Sequence, residues 1–198
     1  MSSVIATANL ESFFRGQFTS ASKTLGVEVD ASAEYYVVNL LCAYSRRGSN
    51  PLPGEEPLAF LYKRALEAPT GERILILKNL GDLALYVAGF FTEFIERSLV
   101  DVSYYISMGG NAYTSLSDIL GSRPRGGSFA EVYNELARKF AALVDVLMEV
   151  ADRCRSTQND DLVRLYDRWM RTGSDRIHRL LVEKGLVLAV RSPDETLQ

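Results

Sequence analysis

The sequence predicts an all-α protein, on three observations. Apolar residues recur at spacings of three and four through most of the chain, no run alternates with period two, and the segment from Glu72 to Phe90 is apolar around nearly its whole circumference. A helix of that last kind needs neighbours on most sides, so the expected architecture is an irregular bundle of about seven or eight helices around it. Residues 1–198 read as one domain, with flexible termini at 1–8 and 192–198.

The elements follow in order. A first helix is expected from near Asn9, with Leu10, Phe13, Phe14, Phe18 and Ala21 on one face and Gly26 just beyond its end, where a left-handed residue is tolerated. Asp30 suits the N-cap of a second helix, whose Val37, Leu40, Leu41 and Tyr44 form a stripe before a loop from Arg46 to Pro53. Pro57 opens a third helix carrying Leu58, Leu61, Tyr62 and Ala65, which Pro69 and Gly71 interrupt. The central helix then runs from Glu72, and a new turn begins near Thr92.

Val102, Tyr105, Ile106, Gly109, Tyr113 and Leu116 mark the next helix, where Gly109 and Gly110 point to a close crossing or a break. Gly121 to Gly127 is a loop. Ser128 and Glu131 form a capping box at the head of a long helix with Val132, Leu136, Phe140, Val144, Leu147 and Ala151, expected to reach Arg155. Two more helices, Asp160 to Thr172 and Asp175 to Lys184, follow, and the apolar run Leu186 to Val190 is expected to dock on the core, with a dimer contact as the alternative.

Composition narrows the functional classes. With 22 cationic and 25 anionic side chains the net charge is -3, which gives no global attraction to nucleic acid or anionic lipid. The longest apolar stretch, Leu83 to Phe91, is far short of the roughly 20 residues a membrane span needs, and Met1 to Leu10 lacks the pattern of a secretory leader. Cys42 and Cys154, far apart on helical patterns, suit reduced buried thiols, so a cytoplasmic protein is expected.

Two segments carry a resemblance. Leu80-Gly81-Asp82-Leu83-Ala84-Leu85-Tyr86-Val87-Ala88-Gly89-Phe90-Phe91 and Val100-Asp101-Val102-Ser103-Tyr104-Tyr105-Ile106-Ser107-Met108-Gly109-Gly110-Asn111-Ala112-Tyr113 resemble an uncharacterised family of soluble bacterial helical proteins. The resemblance runs from Leu10 to Gly185 and includes Leu165-Tyr166-Asp167-Arg168-Trp169. It implies a soluble bacterial helical protein and carries no activity with it.

Candidate chemistry centres on the apolar helix. Asn79, Asp82, Tyr86 and Glu93 would share one narrow face, and a carboxylate there must reach water, pair with a donor or shift its pKa. Tyr104, Tyr105 and Tyr113 on the next helix could close a small-ligand cleft over it, with Asp82 or Glu93 as acid or base and the tyrosines orienting the ligand. The competing reading is a structural polar network, because buried polar groups are as a rule satisfied.

Other classes have less behind them. One histidine, His178, rules out the paired Glu-x-x-His pattern of di-iron bundles, and the carboxylate pairs Glu93 and Glu96 or Asp145 and Glu149 are too few for a hard cation, so neither metal nor cofactor is expected. No Walker loop, nucleophile elbow, dinucleotide fingerprint or Cys-x-x-Cys pair occurs. Arg164, Arg168, Arg171, Arg176 and Arg179 suggest a phosphate-binding helix pair, but Asp160, Asp161, Asp167, Asp175 and Glu183 offset them and disfavour nucleic acid. Trp169 reads as core. The leading expectation is a non-enzymatic interaction or regulatory module, self-associating or binding another protein, with no membrane partner; small-molecule binding is the alternative.

Overall fold

The computed structural model describes residues 2–46, 56–91, 95, 100–124, 126–156, 174, 176–177 and 179–180, and for 2–9, 46 and 155–156 the backbone alone. Seven helices among these residues form one all-α bundle, without strands: α1 (Ser2–Leu25), α2 (Ala31–Arg46), α3 (Leu58–Glu67), α4 (Thr70–Phe90), α5 (Val102–Gly121), α6 (Gly127–Arg138) and α7 (Phe140–Ser156). None of them is long and apolar enough to cross a membrane.

The centre is α4, which packs against α3, α5 and α7, while α1 and α2 pair and α1 lies on α7. Its Leu80, Ala84, Leu85, Val87 and Ala88 are almost wholly removed from water, as its apolar circumference requires. Burial is not uniform along it, because Leu75 in the second turn is 62% exposed. The apolar stripes of α1 and α2 close on the same core through Phe14, Phe18, Ala21, Val37 and Leu41, and both cysteines are buried as reduced thiols.

Helix ends depart from the sequence pattern in several places. α1 starts at Ser2 rather than near Asn9, and ends at Leu25 just before Gly26, whose φ of 66° is the left-handed conformation expected there. Asp30 precedes α2 but does not cap it with its side chain; its backbone N–H donates to Glu135 and its carbonyl accepts from Glu34. Tertiary contact with α6 has replaced the local cap. Asp101 caps α5, accepting from the Tyr104 N–H.

The capping box at Ser128 and Glu131 does not form. The turn after α5 leads into helix at Gly127, with the Gly126 carbonyl already accepting from Ala130 at 2.8 Å, so Ser128 sits inside the first turn and faces solvent. Nor is there one helix from Ser128 to Arg155. The chain bends at Lys139, yet Lys139 N–H bonds the Glu135 carbonyl and its own carbonyl accepts from Leu143, so the helical phase is kept across the bend. That is why the apolar spacing reads as continuous.

Gly109 marks a close crossing and not a break: α5 continues through it, and a Cβ at this position would meet the Phe140 ring and the Ala84 methyl. Gly81 does the same for α4, where a Cβ would overlap the Tyr113 ring. Alanine at either site should cost about 1–3 kcal/mol through overpacking. Gly16, exposed in α1 with nothing near a Cβ, should instead gain up to about 1 kcal/mol from helix propensity. Urea unfolding midpoints of G81A, G109A and G16A are expected below, below and above that of the parent.

Candidate functional site

Among the described residues, Asp82 is the buried charged residue of the core, at 8% exposure. A lone carboxylate in that position would forfeit its hydration, and the fold answers with three donors. Tyr36 from α2 and Tyr113 from α5 donate to Oδ1 at 2.5 and 2.8 Å, and Lys78, one turn earlier on α4, donates to Oδ2 at 2.5 Å. Tyr133 from α6 reaches the Tyr36 hydroxyl at 3.5 Å. Three helices therefore meet on one carboxylate, and α6 joins them through Tyr36.

The rings are as ordered as the hydroxyls. Tyr36 meets Tyr133 and Tyr113 edge-on with centroids 5.4 and 6.3 Å apart, and Tyr113 lies 5.7 Å from Phe140. Lys78 stands over the Tyr36 ring, 5.4 Å from its centroid, with its side chain 40% exposed, so its ammonium joins the network to solvent. Burial first, and then the Asp82 charge, pushes the pKa of Tyr36 and of Tyr113 well above the ordinary phenol value. Burial also raises that of Tyr133. These groups are donors held protonated, an arrangement suited to fixing a carboxylate.

The proposed cleft residues separate into three places. Asp82 and Tyr113 come together. Tyr86, one turn along α4, is buried in a different aromatic stack, 4.2 Å from Tyr44 and nearly parallel to it, with Phe90 and Phe91 beside it. Tyr104 and Tyr105 contact each other edge-on at 5.5 Å, and the Tyr104 hydroxyl accepts from the Ala59 N–H at the start of α3, a helix N-terminus that has no side-chain cap. Asn79 is exposed, and Glu93 lies outside the described residues.

Lys78, Tyr36 and Tyr133 complete the network and were not among the sequence candidates. Lys78 was legible, since it falls four residues before Asp82 on a helix otherwise poor in charge. The tyrosines gave only a faint signal: Tyr36 shares a face with Leu40 and Tyr44, and Tyr133 with Leu136 and Phe140.

Elsewhere, an open recess of ≈ 230 Å³ between α3, α4 and α5 is lined by Tyr62, Leu66, Arg73, Leu77 and Ile119. Arg73 is committed to the fold there, donating to the carbonyls of Ala65, Leu66 and Ala68 at the end of α3. Among the described residues no three His, Cys, Asp or Glu side chains are grouped to hold a metal ion. His178, Arg164, Arg168, Arg171 and Trp169 lie outside the described residues, as does the run Leu186 to Val190, while Arg176 and Arg179 are exposed beside the buried Ile177. The chain matches no family model, no curated protein and no solved structure.

The geometry orders the costs of substitution. Asp82→Ala strands two tyrosine hydroxyls, one fully buried, and should cost about 3 kcal/mol at about 1–3 kcal/mol per stranded buried donor. Tyr113→Phe should cost about 1 kcal/mol, and Lys78→Met less than that because its ammonium can turn to water. Denaturant unfolding of the three variants tests the order, and a larger loss for K78M than for D82A would contradict it.

The raised tyrosine pKa values set a second expectation. A group that binds its proton more tightly when folded lends stability below its unfolded pKa, about 10 for tyrosine, and that stability is lost as pH rises further. Tyrosinate absorbance from Tyr36 and Tyr113 should therefore emerge together with loss of far-UV circular dichroism. Their ionisation without loss of helix would show the hydroxyls to be solvent-accessible.

Proposed function

We propose that this chain is a non-enzymatic interaction or regulatory module of the bacterial cytoplasm that works as a homodimer. The observation that carries the reading is large apolar surface left in water: Phe60 and Leu66 on α3 are 60% and 59% exposed, Leu75 on α4 62%, and Phe129 on α6 66%. Each would gain up to about 1.5–3 kcal/mol if fully buried against a partner.

A second copy of the chain is the partner that suits Phe60. Around it α3 exposes Lys63, Arg64 and Glu67, with Glu56 just before the helix, so the rim carries both signs. Two copies related by a two-fold axis can set cations of one rim against carboxylates of the other, whereas a rim of one sign would call for an oppositely charged partner. Against a ligand cleft, both Asp82 oxygens are engaged by donors of the chain itself, which a ligand would have to displace. The bacterial cytoplasm is carried by the resemblance of the central segments and suits two buried thiols.

Sedimentation velocity across a dilution series tests this. The full chain should sediment as a dimer, and Phe60→Glu should raise the dissociation constant at least about tenfold, as loss of a buried aromatic anchor does, with circular dichroism unchanged. A parent that is monomeric throughout overturns self-association. A parent dimer indifferent to F60E removes α3 as its seat.

A further inference from the structure

The recess between α3, α4 and α5 brings together polar groups that the fold leaves unused. Arg73 lines it from α4. Its Nε donates to the Ala65 carbonyl at 2.9 Å, and its Nη2 to the carbonyls of Leu66 and Ala68 at 2.8 and 3.2 Å. These bonds fix the plane of the guanidinium. Its remaining nitrogen, Nη1, has no hydrogen-bond partner among the described residues, although both its N–H groups are donors.

Asp118 lines the same recess from the last turn of α5. Its carboxylate makes no ion pair and accepts no hydrogen bond among the described residues, so it does not pair with Arg73 either. The helix dipole opposes an anion at that end. A charge that local structure disfavours and the fold does not use is the kind of departure that functional sites show. Tyr62 and Ser115 add hydroxyls that have no hydrogen-bond partner among the described residues. Between these groups lies apolar surface from the buried Ala65 and Leu77, with Leu66 exposed at the edge.

We propose that this recess binds a small zwitterion with an apolar body, such as an aliphatic amino acid, its carboxylate on Arg73 and its ammonium on Asp118. A guanidinium already held in place accepts a carboxylate with little further ordering, and a carboxylate without a cation is the complement of an ammonium. A simple anion would gain Arg73 but be repelled by Asp118, and a simple amine the reverse, so a molecule bearing both charges is selected over either. At ≈ 230 Å³ the recess is smaller than the roughly 300–1,000 Å³ of sites that take drug-sized ligands, which keeps the occupant small. Phe60 is not part of the lining, so ligand binding does not depend on self-association.

Amide NMR titration of the full chain tests this with L-leucine, with 5-aminopentanoate as a zwitterion of wider charge separation, and with 4-methylpentanoate and pentylamine, which carry one charge each. At least one zwitterion should bind saturably with a dissociation constant of about 1 mM or tighter, shifting the amides around Leu66 and Ser115. It should bind about tenfold more tightly than either singly charged molecule, the factor a charge-assisted hydrogen bond supplies. Asp118→Asn keeps the side-chain shape and breaks no contact of the fold, so circular dichroism should not change. In D118N the preference for the zwitterion over 4-methylpentanoate should vanish, because the two lose the same partner group in a closed cycle. Absence of saturable binding by both zwitterions, equal binding of the singly charged molecules, or a preference that survives in D118N overturns the site.

Discussion

A carboxylate on the most apolar helix of the chain sets the terms for the rest of the bundle. α4 has to be enclosed because its side chains are apolar on most sides, and enclosing it carries Asp82 away from water. The loss of hydration is offset only where donors converge on both oxygens. Lys78 supplies one from the same helix, and Tyr36 and Tyr113 bring α2 and α5 to fixed positions about it. The interaction thus selects the rotation of α4 and the register of its neighbours, which apolar packing alone would leave loosely specified.

That convergence needs room, and a glycine provides it. Gly81 removes the side chain that would collide with the Tyr113 ring, so the phenol lies flat enough against α4 for its hydroxyl to reach the next residue, Asp82. Gly109 lets α5 approach Ala84 and Phe140 in the same manner, holding α5 between α4 and the α6–α7 bend. Close approach and polar satisfaction are two parts of one arrangement.

With the Asp82 carboxylate and its donors engaged by one another, the exposed apolar side chains are what the described residues offer a partner. The exposed aromatic and aliphatic side chains of α3, α4 and α6 stand among charges of both signs, and Glu135 and Lys139 join the N-terminal hairpin to the remainder. The proposed module would meet its partner through the first.

The amino-acid sequence by itself determined the helical class, the burial of α4, the apolar stripes of α1 and α2 and the left-handed stop at Gly26, because each is written in the spacing and type of residues a few positions apart; at Gly109 it left a crossing or a break, and the packing of Phe140 and Ala84 decided for the crossing. It also placed Asp82 where a carboxylate must reach water, pair with a donor or shift its pKa. Tertiary structure decided which donors: Tyr113 is 31 residues away, Tyr36 46, and Tyr133 is 97 from the tyrosine it touches. It also chose Tyr44 for Tyr86 and the start of α3 for Tyr104, replaced the Asp30 cap by a bond to Glu135, and bent the helix at Lys139. Helical periodicity reports which side of a helix is covered, and it is silent about which distant side chain does the covering, since that depends on how all the helices close around α4 at once.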